Sequence, residues 1–159
     1  MKTYDLGVNR VLEVTRDGDS YSIVIKDNVS AAEAVFPKVR WAAFRYLVKD
    51  IDVEVTKLKE GKTEFRYSQQ YGGGWLVSVT SGIRCVDLRR FFMNEKDEMK
   101  PTRHGIGLRL PEWEMLKDVI NRMRVDFPDL ESIMGCYHAD IQDFIKCREC
   151  MPFLRPARE

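Results

Sequence analysis

Two stretches of this chain repeat one rhythm. Trp41, Phe44, Val48, Ile51, Val55 and Leu58 follow one another at spacings of 3, 4, 3, 4 and 3, and Trp113, Leu116, Ile120, Met123 and Phe127 at 3, 4, 3 and 4. Each series is the apolar stripe of an amphipathic helix, led by tryptophan and preceded by a proline, Pro37 or Pro111, suited to a first helical turn. Gly61 ends the first helix. Ahead of it lie an apolar stretch from Val8 to Val14 and an alternation of Tyr21, Ile23 and Ile25, joined through Asp17-Gly18, a hairpin signal. The segment from Asp27 to Phe36 shows no clear pattern.

The second half has more strand signals. Glu64 to Tyr71 reads as a strand, Gly72-Gly73-Gly74 as a corner, and Trp75, Val77 and Val79 alternate with Leu76, Ser78 and Thr80. Ser81-Gly82 turns the chain and Ile83 to Phe92 returns as another strand. A polar loop, Asn94 to Thr102, leads to a short strand at Ile106 to Leu110. Strands, proline and a Trp-led helix, twice over, predict an internal repeat whose first copy is degraded. The expected fold is α+β: two units of antiparallel β-meander and long helix, with the helices packed together as a dimer or an intramolecular pseudo-dimer. The expected division is a first unit over 1–61 (a β-hairpin plus helix), a second over 62–128 (four strands plus helix) and a Cys-containing tail over 129–159.

Composition narrows the function. With 159 residues, 44% of them hydrophobic, the chain can bury a core without disulfides or metal. No apolar run approaches the roughly 20 residues that span a bilayer, and the first residues lack a signal-peptide core, so an intracellular, non-membrane protein is expected. Three of the four cysteines fall between Cys136 and Cys150, unlike a secreted disulfide framework. Cys136, His138, Cys147 and Cys150 offer three sulfurs and one imidazole, the ligand set of a structural zinc site; the alternative is thiols packing the tail against the body, with no cofactor. No nucleophile motif and no clustered carboxylates point to catalysis, so no enzyme is expected.

A net charge of +1 argues against a polyanion binder only on average. Residues 65–125 carry 11 Lys and Arg against 7 Asp and Glu, whereas residues 1–64 are balanced at 11 each and residues 126–159 carry 4 against 7. Any phosphate site should lie in the middle segment. The triple glycine is not such a site. It lacks a following Lys-Ser/Thr and leads into a strand, so it marks a bend or a close backbone approach.

The middle segment carries Val86-Asp87-Leu88-Arg89-Arg90-Phe91-Phe92-Met93, then Glu98-Met99-Lys100-Pro101-Thr102-Arg103-His104-Gly105-Ile106-Gly107-Leu108, then Leu110-Pro111-Glu112-Trp113. From Phe65 to Val125 it resembles the C-terminal domain of the transcriptional coactivator family Positive Cofactor Four. The resemblance implies a curved four-stranded sheet and one helix, with two such units pairing through their helices and facing channels for opposed single strands. It makes Arg89, Lys100 and Arg103 phosphate-contacting cations and sets Phe92 at the family's stacking tryptophan. His104 stands where the family has a second lysine and Thr102 where it has glycine, which implies weaker local charge. The chain is also similar to an invertebrate offshoot of the family, in which a Trp-led helix precedes Gly72-Gly73-Gly74-Trp75 and a tail such as Cys147 to Phe153 follows. On that reading the first unit is a decayed family-like copy.

The expected function is therefore nuclear binding of single-stranded DNA as a transcriptional coactivator or regulator, working with transcription machinery. Arg84, Arg89, Lys100, Arg103 and His104 would bind phosphates, and Phe92 and Trp75 would stack bases. Of the adjacent Phe91 and Phe92 a regular strand buries only one, and the resemblance favours Phe92 as the exposed ring. Two alternatives remain open at this point: a protein-interaction scaffold that kept the fold and lost nucleic-acid binding, and an RNA-binding module on the same sheet.

Overall fold

Alternating apolar residues and tight turns build two sheets of the same plan. The computed structural model describes residues 1–132 together with Pro152 and Phe153. Strands β1 (Lys2–Gly7), β2 (Arg10–Asp17), β3 (Ser20–Asp27) and β4 (Glu33–Pro37) pair antiparallel in chain order, followed by helix α1 (Lys38–Lys59). Strands β5 (Arg66–Gly72), β6 (Trp75–Thr80), β7 (Cys85–Met93) and β8 (Met99–Arg109) form a second sheet in the same order, followed by α2 (Leu110–Asp126) and a 3-10 turn, Pro128–Ser132. The two-unit meander-plus-helix fold is the one the sequence predicts.

The first unit is a four-stranded meander and not only a hairpin. Gly18, at φ 61°, makes the tight turn that sets Asp17 opposite Ser20. Val8 belongs to the turn before β2 and is exposed. The unpatterned stretch before Pro37 becomes β4, where Phe36 pairs with Ile23 and Ala34 with Ile25. In the second sheet Leu108 pairs with Val86 and Ile106 with Leu88, so the two units share a register as well as an order.

Both helices bury the predicted stripe. Trp41, Phe44, Ile51, Val55 and Leu58 are buried in α1, and Trp113, Leu116, Ile120 and Met123 in α2; Val48 and Phe127 are partly buried. Pro37 precedes the first turn as the N-cap residue. At the other end Lys62 N donates to Lys57 O and Gly61 N to Leu58 O, with Gly61 at φ 74°; this paired closure, with a left-handed glycine after the cap, stops α1.

The units exchange helices. α2 runs against β1 of the first sheet, and α1 against β5 and β6 of the second. Trp113 Nε1 donates to Asp52 Oδ1 at 3.0 Å, and the rings of Phe44 and Trp113 meet edge-on with centroids 6.5 Å apart. Tyr71 of β5 stacks on Phe36 of β4 at 5.5 Å. The result is one apolar core shared by both sheets.

The triple glycine lies at that exchange. A Cβ on Gly73 would stand 2.2 Å from Arg40 Nη2, so the first turn of α1 closes over the corner between β5 and β6. The matching corner of the first sheet receives α2: a Cβ on Gly7 would stand 3.3 Å from Glu112 Cγ. Glu112 is 4% exposed and accepts a hydrogen bond from Arg109 N at 2.9 Å, capping α2 as it docks.

Candidate nucleic-acid interface

The β7–β8 hairpin extends past the shared core as an arm. Arg89 pairs with Gly105, but the next pair is Phe91 with Pro101. β7 advances two residues there while β8 advances four, so Thr102, Arg103 and His104 all oppose Arg90. This is a bulge of the kind that re-aims side chains next to binding sites. Thr102 staples it: its hydroxyl donates to Arg90 O at 2.8 Å and accepts from His104 N at 3.2 Å. Gly105 permits it, because a Cβ there would stand 2.6 Å from Leu88 O.

Beyond the bulge Phe92 is paired with Lys100, so their Cβ atoms lie about 5 Å apart on one face. Phe92 is 47% exposed, and Lys100, Arg103, His104 and Arg90 are exposed as well. Lys100 Nζ lies 3.4 Å from Glu98 Oε2, with both side chains half exposed; a pair this solvated contributes little and yields readily to another anion. Arg103 has no carboxylate within ion-pairing distance among the described residues.

The other predicted residues are placed differently. Arg89 is held by Asp87, with Nε to Oδ2 and Nη2 to Oδ1 both at 3.2 Å, and its Nη1 donates to Thr102 O at 3.0 Å. By strand alternation it faces away from the Phe92–Lys100 pair, and its guanidinium fixes the bulge. Trp75 is 7% exposed in the shared core and has no open ring face for a base. Arg84 is exposed in the turn before β7; it stands eight positions along the chain from Phe92, about 26 Å in extended strand. The structure thus gathers Phe92, Lys100, Arg103 and His104 on the arm, sets Arg89 at its base turned to Asp87, and places Arg84 and Trp75 elsewhere.

Arg90, an exposed cation of β7, belongs with the arm as well. By the parity of β7 it shares the face of Phe92, two residues on. Cys85, at the far end of β7, has its thiol pushed up by burial and by the neighbouring Asp87, so it stays protonated. The proposed zinc ligands Cys136, His138, Cys147 and Cys150 lie outside the described residues; among the described residues no cluster of three or more His, Cys, Asp or Glu is placed to hold a metal.

Residues 77–119 match the family model described as Transcriptional Coactivator p15 (PC4). The match runs from β6 through the arm into α2, so every gathered side chain falls within the matched residues, whereas the first unit and β5 lie outside them. No solved structure matches the chain.

Proposed function

We propose that the segment matching the PC4 model is a PC4-type domain that binds single-stranded DNA along the arm and the adjoining sheet, and that the protein acts in the nucleus as a transcriptional coactivator or regulator. The observation that carries the reading is the exposed Phe92 ring directly across the ladder from Lys100, on an arm whose bulge holds Arg103 and His104 outward. Unpaired bases offer faces for a ring, and phosphates follow the cations beside it. A stacked duplex offers no free base face, so the ring selects unpaired DNA. Arg89 enters as a positioning residue for the bulge rather than as a phosphate ligand.

The test is a fluorescence-anisotropy titration of a labelled single strand, with duplex of the same sequence as competitor. The reading expects the single strand to be preferred, and expects Phe92→Ala to erode that preference. Equal affinity for strand and duplex in wild type and Phe92→Ala would remove base stacking from the account. A matched RNA competitor reports whether the sugar is read, since stacking and phosphate contacts alone do not distinguish it.

A further inference from the structure

The two units share a register up to one point and then part. Ile25–Ala34 in the first sheet corresponds to Leu88–Ile106 in the second, and the next pairs outward are Lys26–Glu33 and Arg89–Gly105. From there the second unit runs 17 residues, Arg89 to Gly105, and builds the arm; the first runs 8, Lys26 to Glu33, and turns back at once. The arm segment holds five Lys or Arg against three Asp or Glu, while the short segment holds one against two, with no aromatic residue.

The short loop is also closed on itself. Asp27 Oδ1 accepts from the backbone N–H groups of Val29 at 2.8 Å and Ser30 at 3.0 Å, and its Oδ2 pairs with Arg10 at 2.7 Å. Lys26, the one cation of the segment, pairs with Glu13 at 2.9 Å. Arg10 is spent as well: besides Asp27, its Nη1 donates to Gly107 O at 3.0 Å, across the join between the units. The place that answers to the arm therefore offers neither a free cation nor a ring.

We infer that each chain binds one unpaired strand, on the second unit alone, and that the first unit is a built-in partner that completes the core without forming a second channel. This rests on the single-strand reading above and narrows its substrate class. The ligand is an isolated unpaired segment, such as an overhang or gap, and not both strands of an opened duplex held by one chain. A second strand laid along the first unit would meet the carboxylates of Asp27 and Glu33 and release no counterions there.

Native mass spectrometry of the full chain with a short single-stranded oligonucleotide in excess reads the ratio directly. One strand per chain is expected at saturation, and a duplex with a central bubble should take two chains where an overhang takes one. Lys26→Ala should leave affinity within about twofold, while Lys100→Ala with Arg103→Ala weakens it about tenfold or more. Two strands per chain, or one chain clamping both sides of a bubble, overturns this inference and leaves single-strand binding standing. No bound strand at low salt overturns the binding reading and this inference with it.

Discussion

The indole of Trp113 donates its Nε1–H to Asp52 Oδ1 at 3.0 Å, and Lys117 Nζ reaches the same oxygen at 2.8 Å. One carboxylate oxygen of α1 thereby satisfies a fully buried indole of α2 and ties together the helices of the two units. Asp52→Ala leaves that indole unsatisfied and should cost about 1–3 kcal/mol. Asp52→Asn keeps an acceptor and loses only the partly solvated ion pair, so it should cost less than about 1 kcal/mol. Urea denaturation of both variants checks the order; equal losses would show that the indole does not depend on this contact.

Acid should loosen the same join. Burial works to raise the Asp52 carboxyl, but the hydrogen bonds from Lys117 and Trp113 prevail and hold it below the usual aspartate range. Asp126 and Asp129 are lowered chiefly by the hydroxyls of Tyr4 and Tyr21 in the first sheet. A carboxyl lowered on folding contributes stability that is full above its unfolded value and is lost as pH falls through the folded one. Wild type should therefore lose stability below about pH 4, and Asp52→Asn should lose less over that window. A parallel decline of the two proteins in acid denaturation would contradict the assignment.

Two glycines should differ in cost. Gly73 sits at φ 60°, and the group a Cβ would strike is the far end of the Arg40 side chain, which can move; Gly73→Ala should cost about 1–2 kcal/mol, mostly backbone strain. At Gly105 the obstacle is the backbone of Leu88 and Arg89, which cannot yield without opening β7 from β8. Gly105→Ala should destabilise more than Gly73→Ala and weaken strand binding as well. Thermal melts give the order, and the account requires Gly105→Ala to melt first.

Trp75 and Phe92 should separate stability from binding. Trp75→Ala empties a core site and should cost about 3–5 kcal/mol. Phe92→Ala, on the exposed arm, should change stability by no more than about 0.5 kcal/mol and weaken single-strand affinity by about 1–3 kcal/mol. Denaturation and anisotropy on the two variants decide this. Unchanged affinity in a folded Phe92→Ala protein would remove the ring from the interface.

The helices, the β2–β3 hairpin and the inward faces of β6 and β7 were legible because their side chains repeat at the period of the element. β4 was not, since five residues with Ala34 and Phe36 inward are too few to show alternation and are held by the ladder to β3. The outer half of β8 was hidden for a related reason: Met99 to His104 is polar and becomes strand only through pairing with β7. The burial of Trp75 was readable from its alternation with Val77 and Val79. The pairing of Arg89 with Asp87 was readable too, since residues two apart on a strand share a face. The bulge was beyond sequence reasoning, because it depends on Thr102 bonding across the arm and on Gly105 lying against the β7 backbone.

The most direct test of the central claim is the salt dependence of single-strand binding in wild type and in Lys100→Ala/Arg103→Ala. If the arm neutralises phosphates, the plot of log affinity against log salt should be steep for wild type and shallower by about 1.4 in the double variant, roughly 0.7 for each lost contact. An unchanged slope in a folded double variant would contradict the account, because the phosphates would then be met elsewhere on the protein.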